Sequence, residues 1–122
     1  MSPNVHPTFD PAALAELREC DPDGTLAAEL IGVFLEDTPR RIQALHMASA
    51  AGNPSALAHE AHALKSSCAQ LGALLLSDHC RWLEQTGRDG SLRGVEERLQ
   101  LVDSEWKAVV EALNAEMRRR GR

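Results

Sequence analysis

The apolar residues of this chain recur at steps of three and four, the spacing that places side chains on one face of an α-helix. Alanine and leucine are abundant, whereas strand-forming aromatic residues are scarce, with two Phe, two Trp and no Tyr. The sequence therefore predicts an all-α fold. The clearest stripe has steps of four, three, four and three and consists of Leu57, Ala61, Leu64, Cys68 and Leu71.

Start and stop signals divide this pattern into five helices. Asp10-Pro11 and Asn53-Pro54 each place a capping side chain before a proline, which suits the first helical position. Gly72 and Gly87 are expected to end the third and fourth helices. The predicted helices cover residues 11–19, 25–50, 54–71, 73–86 and about 27 residues starting at Ser91.

The second helix contains Pro39, which should bend it near Asp37 because proline removes one helical hydrogen bond. Short connections between the four long helices predict an antiparallel up-down four-helix bundle, with the short first helix capping one end. Residues 1–8 are expected to form a flexible arm and residues 9–122 a single domain. The apolar face of the second helix is predicted to comprise Leu26, Leu30, Val33 and Phe34, followed by Ile42, Leu45 and Met47.

Charge and composition exclude several classes of function. The net charge of −5 argues against a nucleic-acid partner, which requires a dense basic surface. No apolar run of about 18 residues predicts a membrane span, and the first ten residues lack the apolar region of a secretory signal. Three cysteines without CxxC spacing fit reduced thiols in a cytoplasmic protein.

His62 is the strongest candidate for chemistry. At about 100° per residue, it lies about 140° from the apolar stripe of the third helix and should face water. Lys65 lies near 80° from that stripe by the same period, one turn further on. An exposed imidazole with a pKa of about 6.5 is mostly neutral, and therefore nucleophilic, at neutral pH.

The competing chemistries fit the sequence less well. His59 and His62 are three residues apart, whereas a zinc-binding HExxH helix needs histidines four apart. Glu60 is followed three residues later by Ala63, so the Glu-x-x-His motif of di-iron bundles is missing. We therefore expect no metal. The sequence also has no GxxxxGK[ST] loop for a nucleotide.

The segment 61–73, AHALKSSCAQLGA, resembles the signature of histidine phosphotransfer (HPt) domains, the intermediates of two-component phosphorelays. In that signature a histidine is followed by any residue, Leu or Ile, Lys, Gly, two small residues and a later Gly. The resemblance extends over nearly the whole chain, through FDPAALAEL, LIGVFLEDTPRRIQAL and LLSDHCRWLEQTGRDG. It implies a four-helix bundle that accepts a phosphoryl group from a receiver-domain aspartate and gives it to another receiver.

The resemblance also implies a role for individual residues. His62 matches the phosphoacceptor, and Lys65 matches the lysine thought to steady the phosphoryl oxygens. Ser66 stands where the family usually has glycine. Glu84 and Arg88 match positions on the next helix that lie near the histidine, and the first of these often hydrogen-bonds the ring.

The implied partners are response-regulator receiver domains and a hybrid sensor histidine kinase. The chain itself is then a monomeric phosphotransfer protein with no cofactor and no kinase activity, and the receiver supplies Mg²⁺. A phosphorylation-independent adaptor that binds receiver or kinase domains is the alternative. The docking surface is expected around His62, Lys65 and Ser66, and to include Ser55, Ala58, His59 and Ala69.

Overall fold

The computed structural model describes residues 6–21 and 23–120, without the side chains of residues 14, 18, 119 and 120. The four long helices pack as an antiparallel bundle around one core, which confirms the predicted all-α fold. The short first helix lies at the turn between the third and fourth. The helices are α1 (Pro11–Cys20), α2 (Thr25–Ala50), α3 (Pro54–Leu71), α4 (Leu74–Arg88) and α5 (Val95–Arg120).

Both ends of α3 lie where the sequence predicts them. At its start the Asn53 side chain accepts a hydrogen bond from the Ala56 N–H at 3.0 Å, and Pro54 follows the cap. At its end Gly72 adopts a left-handed conformation with φ of 75°. This allows the Ala73 N–H to donate to the Cys68 carbonyl at 2.9 Å, which closes the helix.

Two other predicted helix ends are wrong. Helix α4 does not stop at Gly87 but continues to Arg88. Helix α5 begins at Val95 rather than at Ser91, because Gly94 has a left-handed φ of 76°, which a right-handed α-helix does not accommodate. The Ser91 hydroxyl instead accepts a hydrogen bond from the Arg93 N–H at 3.0 Å, within a turn.

Gly87 is a helical glycine that sets how closely α3 and α4 approach. A Cβ atom there would lie 2.5 Å from the Pro54 carbonyl oxygen and 3.0 Å from the Ala58 Cβ. Only a residue without a side chain fits between the two helices at this level. The glycine is therefore a packing residue and not a helix stop.

The predicted apolar face of α2 is only partly correct. Helix α2 is continuous through Pro39. Phe34 of this helix is buried against α5, with its ring 5.5 Å from that of Trp106 in an edge-on arrangement. The stripe that faces the core is a neighbouring one, formed by Ala27, Ile31, Phe34 and Thr38. The residues predicted to be buried but found exposed are Leu26 at 49%, Leu30 at 40%, Val33 at 66% and Met47 at 63%.

The predicted arm falls partly outside the described residues, which begin at His6. Residues 6–10 run along the end of the bundle, where His6 pairs with Asp78 of α4. The Pro7 carbonyl accepts from the Leu75 N–H at 3.2 Å, and the Asp10 N–H donates to the Gly72 carbonyl at 2.8 Å. These bonds satisfy backbone groups at the α3–α4 turn and position α1 there.

The contact between α4 and α5 includes a buried histidine. His79 is 8% exposed, and its Nδ1 accepts a hydrogen bond from an Arg98 guanidinium N–H at 3.2 Å. The same guanidinium stacks over the Trp82 ring at 4.6 Å. Burial, aided by the Arg98 charge and opposed by Asp78, holds the pKa of His79 below its usual value. His79 is therefore neutral in the folded protein at neutral pH.

The Gly87→Ala substitution should reduce the free energy of unfolding by about 1–3 kcal/mol, because the added methyl group meets backbone of α3. Urea unfolding followed by circular dichroism measures the change. Gly32→Ala is the matched control, since a Cβ at this helical glycine of α2 meets nothing within 4 Å. The control should gain about 0.5–1 kcal/mol from helix propensity. A Gly87→Ala protein as stable as the wild type would contradict the packing role.

The neutral state of His79 predicts a loss of stability in mild acid. In the unfolded chain this imidazole titrates near pH 6.5, above its folded pKa, so the unfolded state takes up the proton first as the pH falls. The stability that the neutral His79 contributes is complete above about pH 6.5. Below that pH the free energy of unfolding declines by up to about 1.4 kcal/mol per pH unit. Urea titrations between pH 7.5 and about 5 should show this slope in the wild type and a smaller slope in His79→Gln. Equal slopes would contradict the prediction.

Candidate functional site

His62 lies near the middle of α3 and points away from the core. Its side chain is 57% exposed, as the helical projection predicts. The inner edge of the ring contacts α4, where Nδ1 lies 2.8 Å from Oε2 of Glu84. The outer edge, which carries Nε2, is the part of the ring turned away from this contact.

Glu84 is a buried carboxylate beneath the imidazole. Its side chain is 5% exposed, and both of its oxygens face cations. Lys65 Nζ lies 2.6 Å from Oε1, and an Arg88 guanidinium nitrogen lies 2.5 Å from Oε2. A single carboxylate thus connects three of the four other side chains that the HPt resemblance places in the site, two from α3 and one from α4.

These contacts decide the charge of Glu84. Burial by itself raises the pKa of the Glu84 carboxyl. The hydrogen bonds from Lys65 and His62 and the charges of Lys65 and Arg88 outweigh burial, so the pKa is lowered from its usual value. The carboxylate is therefore ionised at neutral pH and can only accept hydrogen bonds.

An ionised Glu84 also selects the tautomer of the neutral His62 ring. Because Oε2 must be the acceptor, Nδ1 carries the proton and donates it to Glu84. The lone pair of a neutral ring then resides on Nε2, the nitrogen on the exposed edge. The geometry presents a nucleophilic nitrogen to a molecule that approaches from solvent.

Ser66 lies one turn beyond His62 and is exposed. Its hydroxyl donates to the His62 backbone carbonyl at 3.1 Å, an i to i−4 bond within α3. The hydroxyl is therefore directed to the helix backbone in this structure.

The remaining docking residues are only partly placed as predicted. Ser55, His59 and Ala69 are exposed on the same side of α3 as His62. Ala58 was also predicted to be exposed, and this is wrong, because it is 8% exposed and faces Gly87 of α4. The close approach of the two helices covers its methyl group and removes it from the surface.

Two other kinds of site do not appear among residues 6–21 and 23–120. No group of three or more His, Cys, Asp or Glu side chains is arranged there to hold a metal ion. No helix in that part of the chain is both long enough and apolar enough to cross a membrane. The described polar cluster at His62 is thus built from one histidine, one carboxylate and two cations.

Comparison with known proteins identifies the family of the chain. The family model described as Hpt domain matches residues 29–116. The crystal structure of histidine-containing phosphotransfer protein B (HptB) from Pseudomonas aeruginosa PAO1 superposes with a TM-score of 0.86 at 31% identity, covering 94% of this chain and 98% of that one. A search of curated protein sequences gives no significant match. The chain belongs to the family of Hpt domains, the histidine phosphotransfer intermediates of two-component phosphorelays.

Proposed function

We propose that Nε2 of His62 is the atom that carries the phosphoryl group. It attacks the phosphorus of a receiver-domain aspartyl phosphate, so that an N–P bond forms while the P–O bond to the aspartate breaks and the carboxylate leaves. The reverse exchange with a second receiver aspartate passes the group on. The observation that carries this proposal is the 2.8 Å contact between Nδ1 and the buried Glu84 carboxylate.

Glu84 supports this chemistry in two ways. It accepts a hydrogen bond from Nδ1–H, which keeps the proton on Nδ1. The reacting lone pair is therefore on Nε2, the exposed nitrogen. When Nε2 is phosphorylated and Nδ1 keeps its proton, the ring gains positive character, which the adjacent carboxylate stabilises. We assign Glu84 as a positioning residue, because it acts through the imidazole.

Lys65 and Arg88 supply positive charge next to the incoming phosphoryl group. Two cations share one carboxylate, so the cluster carries a net positive charge when the ring is neutral. For a cation about 6 Å from the phosphoryl group, the attraction is on the order of 0.7–3 kcal/mol at effective dielectric constants of 80 to 20. That amount tunes the transfer, while the larger part of the catalysis comes from the partner.

The partner must therefore provide the activated phosphoryl group and its metal ion. Hpt domains interact with receiver domains and kinases in phosphorelays. We propose that a receiver domain brings both the aspartyl phosphate and the Mg²⁺ that stabilises its transfer. The chain has no GxxxxGK[ST] sequence, which supports the proposal that it does not phosphorylate itself from ATP.

The His62→Gln protein should fail to take up label from a receiver domain charged with radioactive acetyl phosphate. The wild type should acquire acid-labile, base-stable label, the signature of phosphohistidine. His59→Gln is the matched control, because His59 is another exposed histidine of α3, and it should be labelled normally. Label retained in His62→Gln and lost in His59→Gln would refute the assigned acceptor.

The same variant separates a phosphorelay from the adaptor alternative. His62→Gln should still bind the receiver, since the substitution leaves the bundle and most of its surface unchanged. In a relay it should abolish the downstream response of the pathway while binding persists. A normal downstream response with the unlabelled variant would instead identify a phosphorylation-independent adaptor.

The Lys65→Ala protein should transfer the phosphoryl group about 3- to 150-fold more slowly than the wild type, the kinetic equivalent of the attraction given above. Single-turnover labelling by a charged receiver measures this rate. Lys107→Ala is the control, since it removes the only other lysine of the sequence, an exposed residue on α5. An unaltered rate in a folded Lys65→Ala protein would contradict the proposed role.

A further inference from the structure

Two buried cysteines face each other between α3 and α4. Cys68 of α3 and Cys80 of α4 are both fully buried, and their side chains interact as hydrogen-bond partners. Cys20, the third cysteine of the chain, is exposed at the C-terminal end of α1. The proposed phosphoryl transfer uses neither thiol of the buried pair. Two thiols that contact each other on neighbouring helices are the starting point for a disulfide.

Helices α3 and α4 are held close together on both sides of this pair. On one side, only Gly72 and Ala73 connect the two helices. On the other side, Gly87 packs against Ala58 with no room for a side chain between them. A disulfide requires Cα atoms about 4.4–6.8 Å apart, whereas the axes of packed helices are usually about 8–10 Å apart. The two constraints favour the short separation that a disulfide needs.

The surroundings of the pair limit which oxidants can reach it. The hydrogen bond with Cys80 and burial raise the pKa of the Cys68 thiol, which keeps its proton at neutral pH. Since the thiolate is the reactive form, a buried and protonated thiol reacts slowly. A small, uncharged oxidant such as hydrogen peroxide is the class that suits this position. Once one sulfur is oxidised, the other is already in contact, so closure of the disulfide is favoured over further oxidation.

The pair lies one helical turn from the functional site on both helices. Cys68 follows Lys65 by three residues, and Cys80 precedes Glu84 by four. The Glu84 carboxylate is 2.6 Å from Lys65 Nζ and 2.8 Å from His62 Nδ1. A disulfide draws its sulfur atoms to about 2.05 Å, much closer than sulfur atoms that are not bonded. In a close-packed interface this movement is passed on to the helices, and it changes the contacts of Glu84.

We propose that Cys68 and Cys80 form a reversible disulfide when the protein meets a peroxide, and that this bond slows phosphoryl transfer at His62. The effect on transfer rests on the proposed function, since it requires His62 to be the acceptor. Formation of the disulfide does not depend on it. The bond acts on the site by shifting Glu84 of α4 relative to Lys65 of α3.

The oxidation takes place in two steps. One sulfur of the pair attacks hydrogen peroxide, so that an S–O bond forms, the O–O bond breaks and one water leaves. The second sulfur then attacks the resulting sulfenic acid, so that the S–S bond forms, the S–O bond breaks and a second water leaves. The two thiol protons end in the two waters. The peroxide is reduced, and the two sulfurs are oxidised.

The test uses the Cys20→Ser protein, which lacks the exposed thiol and keeps the buried pair. The folded protein is treated with excess hydrogen peroxide, the peroxide is removed, and the remaining thiols are alkylated after denaturation. Trypsin cuts after Lys65 and Arg81, so both cysteines fall in the single peptide 66–81. This peptide should be lighter by two hydrogen atoms and carry no alkyl group. Dithiothreitol should restore two thiols that can be alkylated.

The oxidised Cys20→Ser protein should accept the phosphoryl group about tenfold or more slowly than the reduced protein, because a displacement of about 1 Å at a reacting group costs up to about 100-fold in rate. Single-turnover labelling by a charged receiver, added after the peroxide is removed, measures this rate. Dithiothreitol should restore it. Adding Cys80→Ala gives the matched control, which cannot form the bond and should transfer equally fast before and after peroxide. Cys68→Ala provides a second control from the other helix.

A peptide 66–81 that keeps two thiols, or that gains oxygen instead of losing hydrogen, would overturn the proposed disulfide. An oxidised protein that transfers as fast as the reduced one would overturn its effect on the site. Circular dichroism verifies that each protein remains helical. These outcomes are distinct from failure of the proposed function, because the mass of the peptide involves no phosphoryl group, whereas label retained in His62→Gln refutes the acceptor.

Discussion

The site depends on one buried carboxylate placed between two helices. An ionised side chain removed from water costs several kcal/mol unless its oxygens are paired. Glu84 meets this requirement with Lys65 and His62 from α3 and with Arg88 from its own helix. The partners reach it only because α3 and α4 approach closely, and Gly87, three residues beyond Glu84, permits that approach. The charge arrangement of the site therefore depends on the close packing of the two helices.

Helix α4 is held on both sides. Towards α3 it presents Glu84, and towards α5 it presents His79, whose ring meets the Arg98 guanidinium stacked on Trp82. The contact with Arg98 keeps the neutral imidazole of His79 inside the bundle. The contact with Glu84 keeps His62 at the surface, with its Nδ1 engaged in a hydrogen bond. The environments of the two histidines, and not the residue type, separate the packing role of His79 from the chemical role proposed for His62. The exposed imidazole is thus supported, through Glu84, by a helix that packs against both α3 and α5.

Local signals predict the helices well where a side chain or glycine ends them directly. Asn53 and Gly72 define α3 because their effects act within one helical turn. Gly87 and Ser91 give wrong helix ends because their roles depend on tertiary contacts and turn structure. Gly87 allows α3 and α4 to pack closely, and Ser91 accepts a hydrogen bond within a turn. On α2, apolar periodicity admits two adjacent stripes. How α2 packs against the other helices decides which of them is buried, and Ala27, Ile31 and Thr38 are the residues that face the core.

The sequence by itself determined the all-α class, the register of α3 and the outward direction of His62, because these follow from helical periodicity within one segment. The family resemblance places Glu84 and Arg88 near His62, but only the tertiary structure decided that one carboxylate joins Lys65, Arg88 and the imidazole, since the pairing of side chains on different helices depends on how the helices pack. It also decided that Ala58 is covered and that the stripe containing Val33 is exposed. Periodicity places a residue on a face of its helix, and the neighbouring helices determine whether that face is core or surface.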